Sequence, residues 1–347
     1  MIDYNAAAIN RMAIHLVGNR SNEDGVRLSE EEGIPEDEDT LAQLKRYFLS
    51  SFNNVQETYH FTHASLLDLN EVYNYCQAIF DDPSDFLEQS KNIARHLYER
   101  SQHPRIKPGE LAIAVFNNIN FEGQDVQAIG IFKSENPNVF LQFNRTQNGF
   151  HVTHLSGVDV EKVEKGVLIY NVEREKGFRL SIIDSQRSGD AQYWKNEFLQ
   201  VRTSVDSYNQ TKEFMSITRQ FVTSQFPEDF QVSKTDQIEL LNRSMEYFKT
   251  HESFNQREFE QEVFHHENVI ESFRKFEDTT KKENDLQIND SFDISTNAVK
   301  KQARIFKSVL KLDKNFHIYI HGNRDLIEQG VDPDGRKYYK VYYFNEE

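Results

Sequence analysis

The fold of this chain is decided by six short apolar runs, which read ELAIAVFNNI (110–119), DVQAIGIFKS (125–134), NVFLQFN (138–144), FHVTHLSG (150–157), KGVLIYNVE (165–173) and GFRLSIID (177–184). They are rich in Val, Ile and Phe, the residues that favour strands. Turn signals such as Asn148-Gly149 and Lys176-Gly177 separate them. This pattern predicts an antiparallel meander of five or six strands over about residues 109–184.

Helical periodicity precedes the predicted sheet. Leu41, Leu44, Phe48 and Phe52 recur at a spacing that places them on one face of a helix. Two further helical regions cover about residues 65–80 and 84–101. Because these helices come before the strands and do not alternate with them, the sequence predicts an α+β fold rather than a doubly wound α/β sheet.

The pattern changes again after Asp184. A polar, glycine-containing stretch, SQRSGDA (185–191), predicts a domain boundary, and helical spacing returns from Tyr193. Near the C-terminus, Asp334-Gly335 predicts a hairpin turn. We therefore predict an α+β domain over 1–186 and a mainly helical domain over 192–347, with a basic helix at 295–312 and a closing β-hairpin.

Composition excludes several classes of protein. The chain has 347 residues, of which 37% are hydrophobic, enough for ordered cores. No apolar run approaches the ~18 residues of a membrane-spanning helix. The single cysteine, Cys76, excludes an internal disulfide framework and a cysteine-rich zinc site. These features predict a cytoplasmic protein that does not enter the membrane.

The net charge of −16 is unevenly distributed. Residues 21–39, hereafter the acidic segment, contain nine acidic side chains and one basic side chain, Arg27. Two interpretations remain open. One is a flexible, solvated loop that is dispensable for folding, and the other is a functional segment, either a mimic of nucleic-acid charge or a docking tail for a basic partner.

Catalytic signatures are absent from the sequence. There is no phosphate-binding glycine loop, dinucleotide fingerprint, nucleophile elbow or zinc-protease motif. His317 and His321 lie four residues apart, but no third metal ligand is placed by spacing. The sequence predicts a protein with no catalytic residues, no metal site and no cofactor.

One segment reverses the acidic character of the chain. Residues 295–312, STNAVKKQARIFKSVLKL, contain five basic residues and no acid. Continuous helical geometry would place Lys300, Arg304, Lys307 and Lys311 within about 60° of one another. We predict that this surface binds DNA phosphates, and the predicted DNA-binding residues are Lys300, Lys301, Arg304, Lys307 and Lys311. A solvated helix face is the alternative.

The chain also resembles the bacterial 37-kDa nucleoid-associated protein family, the NdpA-like proteins. The resemblance covers nearly the whole sequence. It is carried by blocks that include INRMAIHLVGN (9–19), FKSENPNVFLQF (132–143), LSIIDSQRSGDAQYWKNEFL (180–199) and ISTNAVKKQARIFK (294–307). One stretch differs, because family members tend to be more basic where this chain has Gln186 to Asp190. Only Arg187 is basic there.

The resemblance implies a cytoplasmic, non-enzymatic protein of the nucleoid that binds DNA, DNA-bound proteins or both. It also implies contacts with a type II topoisomerase. From phosphate contacts alone we expect weak binding without sequence preference. The alternative is an acidic protein-interaction module that regulates a topoisomerase or a genome-defence component. The sequence leaves homo-oligomerisation open.

Overall fold

The chain divides into two compact units, residues 1–204 and 205–347. The computed structural model describes residues 2–185, 193–306, 309–312, 314–319 and 326–345. The boundary lies after Ser204, later than the predicted 186–192, which is itself outside the described residues. The prediction assigned residues 193–204 to the wrong unit, because their apolar side chains pack in the core of the first one.

The first unit is built around a large antiparallel sheet. Its strands are β1 (Ile2–Asp3), β2 (Ala8–Val17), β3 (Val26–Arg27), β4 (Thr58–Phe61), β5 (Gly109–Phe121), β6 (Gln124–Ser134), β7 (Asn138–Thr146), β8 (Gly149–Gly157), β9 (Lys165–Tyr170), β10 (Arg179–Asp184) and β11 (Val201–Thr203). The order in the main sheet is β11-β4-β10-β9-β6-β5-β2-β3, with β1 also paired to β5, whereas β7 and β8 pair with each other as a separate hairpin.

The meander predicted over 109–184 is therefore the centre of a wider sheet. Strands β5, β6, β9 and β10 follow one another as expected. The outer strands come from chain segments before and after the meander. They were not predicted as part of the sheet. Strands β1, β3, β4 and β11 span only two to four residues, which carry little periodic signal, and the ten-residue β2 is separated from the meander by the helices.

Both faces of this sheet are covered by helices. The helices are α1 (Glu38–Leu49), α2 (Glu71–Asp81) and α3 (Phe86–Arg100). Along β5 the side chains alternate between two cores. Leu111 and Ile113 join the core that contains residues of α2 and α3, and Ala112 and Phe116 join the core that contains residues of α1. The continuous apolar run in β5 reflects this burial on both sides.

The end of the first unit closes the α2–α3 side of the sheet. A π-helical segment, Tyr193–Leu199, brings Trp194 and Phe198 into that core, where both are almost fully buried. The two rings lie 4.9 Å apart between centroids. Strand β11 then pairs with β4, so the unit is completed only by residues that follow the predicted joint.

The acidic segment is anchored to the first unit at several points. Strand β3 pairs with β2, and Gly33 donates its backbone N–H to Met12. Glu30 accepts a hydrogen bond from Lys91 at 2.8 Å. Asp37 caps α1 by accepting from the backbone of Thr40 at 2.7 Å. The structure differs from the expectation of a flexible loop, because several of the acids of this segment and part of its backbone have hydrogen-bond partners.

The second unit is mainly helical. Its helices are α4 (Ser207–Gln220), α5 (Phe226–Asp229), α6 (Lys234–Thr250), α7 (Gln256–Val263), α8 (Glu267–Glu283) and α9 (Thr296–Gln302). Aromatic rings dominate its core. The Phe214 ring lies 4.3 Å from that of Phe254 and 5.1 Å from that of Phe259. Among the described residues, no helix combines the length and the apolar composition that a membrane span requires.

Short strand pairs complete the second unit. They are β12 (Ser253–Asn255) with β13 (Ser291–Asp293), β14 (Val309–Leu312) with β15 (Phe316–Tyr319), and β16 (Ile327–Val331) with β17 (Lys337–Val341). The last pair is the predicted C-terminal hairpin, and its turn contains Gly335 at φ 80°. The α+β class is confirmed.

The predicted basic helix over 295–312 is wrong in its extent. The helix α9 ends at Gln302, and residues 309–312 form a strand that pairs with residues 316–319. A short apolar run fits a strand as well as a helix, and here the backbone of Phe316–Tyr319 supplies a hydrogen-bonding partner. The N-terminal part of the prediction holds. Ser295 caps α9, and Val299 and Phe306 are buried in the second core.

Candidate nucleic-acid interface

Three of the predicted DNA-binding cations are exposed together at the C-terminal end of α9. Lys300, Lys301 and Arg304 are all solvent-exposed, while Val299 and Phe306 hold the same stretch against the core. None of the three cations forms an ion pair with a residue that the structure describes. Their charges are therefore available to an anionic ligand.

The structure does not show the other two predicted cations on this helix. Lys307 lies outside the described residues. Lys311 belongs to strand β14, opposite His317, and its side chain is also outside the described part. Lys300 and Lys301 thus lie in the last turn of α9, and Arg304 follows just after it. The helix does not extend to Lys311.

The cations of α9 belong to a longer basic region. Residues 296–345, hereafter the basic C-terminal segment, contain ten Lys and Arg side chains against five Asp and Glu. This excess stands out in a chain with a net charge of −16. Exposed charges of one sign attract phosphate chains through counterion release, which needs no particular fold.

Exposed aromatic side chains accompany these cations, and their exposure was not predicted from the sequence. Tyr343 and Phe344 expose 70% and 90% of their surface, and Phe316 exposes 64%. The Lys340 ammonium lies 4.6 Å above the Tyr342 ring. Aromatic rings beside cations are typical of surfaces that contact bases and phosphates together. The alternation of Tyr and Lys in KYYKVYYF was the available signal.

A polar cavity elsewhere in the second unit is not a comparable anion site. It has a volume of about 520 Å³ and is lined in part by Arg274 and Lys281. Arg274 donates to the buried Glu260 at 2.8 Å, and Lys281 pairs with the buried Glu277 at 2.6 Å. These cations are neutralised by carboxylates, so the cavity offers an anion no net positive charge.

The lysines that precede the predicted joint are also unavailable to DNA. Lys133 and Lys165 are fully buried. Lys133 pairs with Glu135 at 3.0 Å, and Lys165 pairs with Asp184 at 3.1 Å. Burial lowers the pKa of Lys133, and Glu135 opposes that effect. These pairs serve the core of the first unit, and residues 186–192 lie outside the described part.

One hydrogen-bond chain has the connectivity of a catalytic triad. The His60 ring bonds the Glu173 carboxylate through Nε2 and the Ser204 hydroxyl through Nδ1, each at 2.9 Å. Burial lowers the pKa of His60. Burial also opposes ionisation of Glu173, but hydrogen bonds from Arg179 and His60 bring its pKa down to about 2. Ser204 exposes only 3% of its surface, so a substrate carbonyl has no approach to it.

A second cluster has the composition of a weak cation site. His251, Glu258 and Glu262 place one ligand atom each within 4.8 Å of one another. The Nδ1 atom of His251 lies 3.0 Å from the backbone oxygen of Tyr247, which leaves Nε2 directed to the carboxylates. The Nε2 atom is 3.8 Å from Glu262. An ordinary ion pair accounts for this geometry, since both carboxylates are exposed.

Comparison with known families agrees with the resemblance seen in the sequence. Residues 13–336 match the NA37 family, described as nucleoid-associated protein YejK. The match extends over most of the chain and includes residues of both units. No curated protein gives a significant match.

Proposed function

Because the chain belongs to the family of the nucleoid-associated protein YejK, we propose that it binds DNA phosphates through its basic C-terminal segment. The observation that carries the proposal is the group formed by Lys300, Lys301 and Arg304. These cations are exposed, close in sequence and without ion-pair partners among the described residues. We include Lys307 and Lys311 in the proposed surface on their charge alone.

Such a surface binds without reading base sequence. Phosphate contacts give affinities of about 10⁻⁴–10⁻⁶ M at physiological salt. The negative charge of the remaining chain opposes tighter binding. The exposed Tyr343 and Phe344 add stacking surface that any base can use. The proposed activity is therefore weak, sequence-independent association with DNA in the cytoplasmic nucleoid.

Replacing Lys300, Lys301 and Arg304 together with glutamine should weaken DNA binding equally on unrelated duplex sequences. Each phosphate contact contributes about 0.9 to the slope of log affinity against log salt, so the slope should decrease in magnitude by about 2.7. Fluorescence anisotropy with two unrelated labelled duplexes, measured over a series of salt concentrations, gives both quantities.

The matched control is the triple variant Lys249→Gln, Arg257→Gln and Lys282→Gln. It removes three exposed cations from the same unit and changes the net charge by the same amount. We expect it to retain most of the parent's affinity and slope. Equal losses in the two triple variants would show that the effect comes from net charge alone and would contradict an interface at α9.

We further propose that the chain acts by binding rather than by catalysis. The family is named for association with the nucleoid, and the triad-like Ser204 is buried. Ser204 exposes 3% of its surface, so its hydroxyl cannot reach a substrate. Its hydrogen bond to His60 orients that ring within the first unit. The hydrogen bonds among Ser204, His60 and Glu173 also connect β4 to the segment before β10, because His60 lies in β4 and Glu173 precedes β10.

The anchored acidic segment favours a second candidate function, docking of a basic protein such as a topoisomerase or another nucleoid component. Glu31, Glu36, Glu38 and Asp39 are exposed while the segment is fixed around them. A pull-down with and without nuclease separates the two candidates. Partners that survive nuclease and are lost on replacing these four acids with their amides would support docking, and loss of every partner on nuclease treatment would contradict it.

A further inference from the structure

The hairpin formed by β7 and β8, residues 138–157, hereafter the hairpin arm, carries an uncovered apolar face. In an antiparallel pair, residues opposite each other share a face. Leu141 lies opposite His154, Phe143 opposite Val152, and Arg145 opposite Phe150. Together with Val139, the apolar members of this face expose between 51% and 72% of their surface.

The exposed apolar surface of this face is comparable to the largest apolar patch of a typical monomeric protein. A whole aromatic side chain has about 150–250 Å² of surface, so Phe143 and Phe150 together present roughly 280 Å². The three aliphatic side chains of this face bring the total to roughly 500 Å². Patches of this size on monomeric proteins often mark interaction sites. Two such faces packed together would bury about 1,000 Å², which reaches the lower limit for a specific protein interface.

The base of the hairpin arm is fixed to the first unit. Glu164 accepts hydrogen bonds from the backbone of Asn136 at 3.0 Å and from its side chain at 2.5 Å. Lys107 donates to the Asn136 side chain at 2.5 Å. The arm is thus held at its root while its apolar face stays open, an arrangement that reduces the entropy lost on binding.

The charge pattern identifies the occupant. Residues 138–157 contain no acid and one formal cation, Arg145, in a chain with 56 acidic residues. Two copies of this acidic chain repel each other over most of their surface, and the hairpin arm is a stretch where they can approach without acid facing acid. A single arginine is too little positive charge for DNA to be the favoured occupant.

We propose that the hairpin arm is a homodimerisation element. The face that contains Leu141 and Phe143 packs against the same face of a second copy. A two-fold axis makes this contact self-complementary, because each copy presents an apolar centre flanked by Arg145, His154 and Ser156. The inference is independent of the proposed DNA binding, which uses residues of the other unit.

Size-exclusion chromatography of the full chain with light scattering tests the proposal. At about 20 μM, a dimer held by a modest interface of this class should be populated. We expect a mass of twice 40.8 kDa. The dimer should persist in high salt, since apolar contacts are not screened. The double variant Leu141→Lys and Phe143→Lys should raise the dissociation constant by at least about 100-fold, because central apolar anchors dominate interface energy.

The control is Gln142→Lys with Asn144→Lys, which adds the same charge to the same strand on its opposite face. We expect it to remain dimeric, and circular dichroism verifies that each variant keeps its fold. A monomeric parent, a dimer lost in high salt, or a dimer that survives Leu141→Lys and Phe143→Lys would each overturn the proposal. If the hairpin arm binds only a different protein, the parent chain is monomeric and the proposal is overturned.

A second measurement does not depend on disruptive variants. The chain's one cysteine, Cys76, is buried. A spin label on Gln147→Cys would therefore report from the exposed tip of the hairpin arm. We expect a dipolar coupling between copies that disappears on dilution with unlabelled chain. Absence of coupling in a chain whose mass is that of a dimer would place the interface elsewhere and contradict the proposal.

Discussion

Replacing Trp194 with alanine should lower the free energy of unfolding of the first unit by about 3–5 kcal/mol. The indole is fully buried and packs on Phe198 within the core that also contains α2 and α3. Truncation would remove its contacts and leave a cavity that the surrounding sheet and helices cannot fill without moving. Chemical denaturation followed by far-ultraviolet circular dichroism measures the change.

Trp194→Phe is the conservative control and should cost much less, because most of the ring volume is kept. Two truncated chains test, without creating a cavity, whether residues 193–204 are needed to complete the first unit. Residues 1–204 should unfold cooperatively, whereas residues 1–185, which lack Trp194, Phe198 and β11, should aggregate or remain disordered. Equal stability of the two truncated chains would place the boundary at the joint after all.

Acidification should destabilise the first unit through His15. The ring is buried, its Nδ1 accepts from the backbone of Ser29 at 3.1 Å, and its Nε2 donates to Ser90 at 3.0 Å. Burial, together with the positive charges of Lys91 and Arg95, lowers the pKa of His15 from 6.5 to about 4. Between these values the unfolded chain binds a proton that the folded chain does not, so stability falls as the pH decreases.

The expected loss from this one histidine is about 3 kcal/mol between pH 6.5 and pH 4, at about 1.4 kcal/mol per pKa unit. Trp194 is the single tryptophan of the chain and lies in the first unit, so its fluorescence during denaturation reports this unit. His15→Gln should flatten the pH dependence by that amount. The exposed His151→Gln serves as the control, and an unchanged slope in His15→Gln would refute the assignment.

The centre of the fold could be predicted from the sequence because its strands are long and apolar. LAIAVF in β5 is buried on both faces, and such a run between turn signals favours a strand regardless of tertiary context. Strands such as Val26–Arg27 and Val201–Thr203 span two or three residues. They are strands because a neighbouring strand offers hydrogen bonds, which is information that local periodicity does not contain.

The sequence predicted the exposure of the candidate DNA-binding cations in part, and their DNA binding stays a prediction. Lys300, Lys301 and Arg304 are exposed beside a buried stripe, as the helical spacing of Val299 and Phe306 indicates. The continuation to Lys311 failed because Val309 to Leu312 found a strand partner. From the sequence, residues 138–157 were predicted only to form strands. Periodicity indicates that one face of a strand is apolar, but it does not indicate whether another element covers that face.

The pairing of β4 with β11 also constrains how the protein is made. Val201 pairs with Phe61, about 140 residues earlier in the chain. At about 5–20 residues per second, a translating ribosome needs roughly 10–30 s to supply the later strand once the earlier one has been made. During that interval the edge of β4 and the core site for Trp194 are incomplete. The nascent first unit therefore exposes a strand edge and apolar surface, the features that chaperones recognise, until Ser204 has emerged.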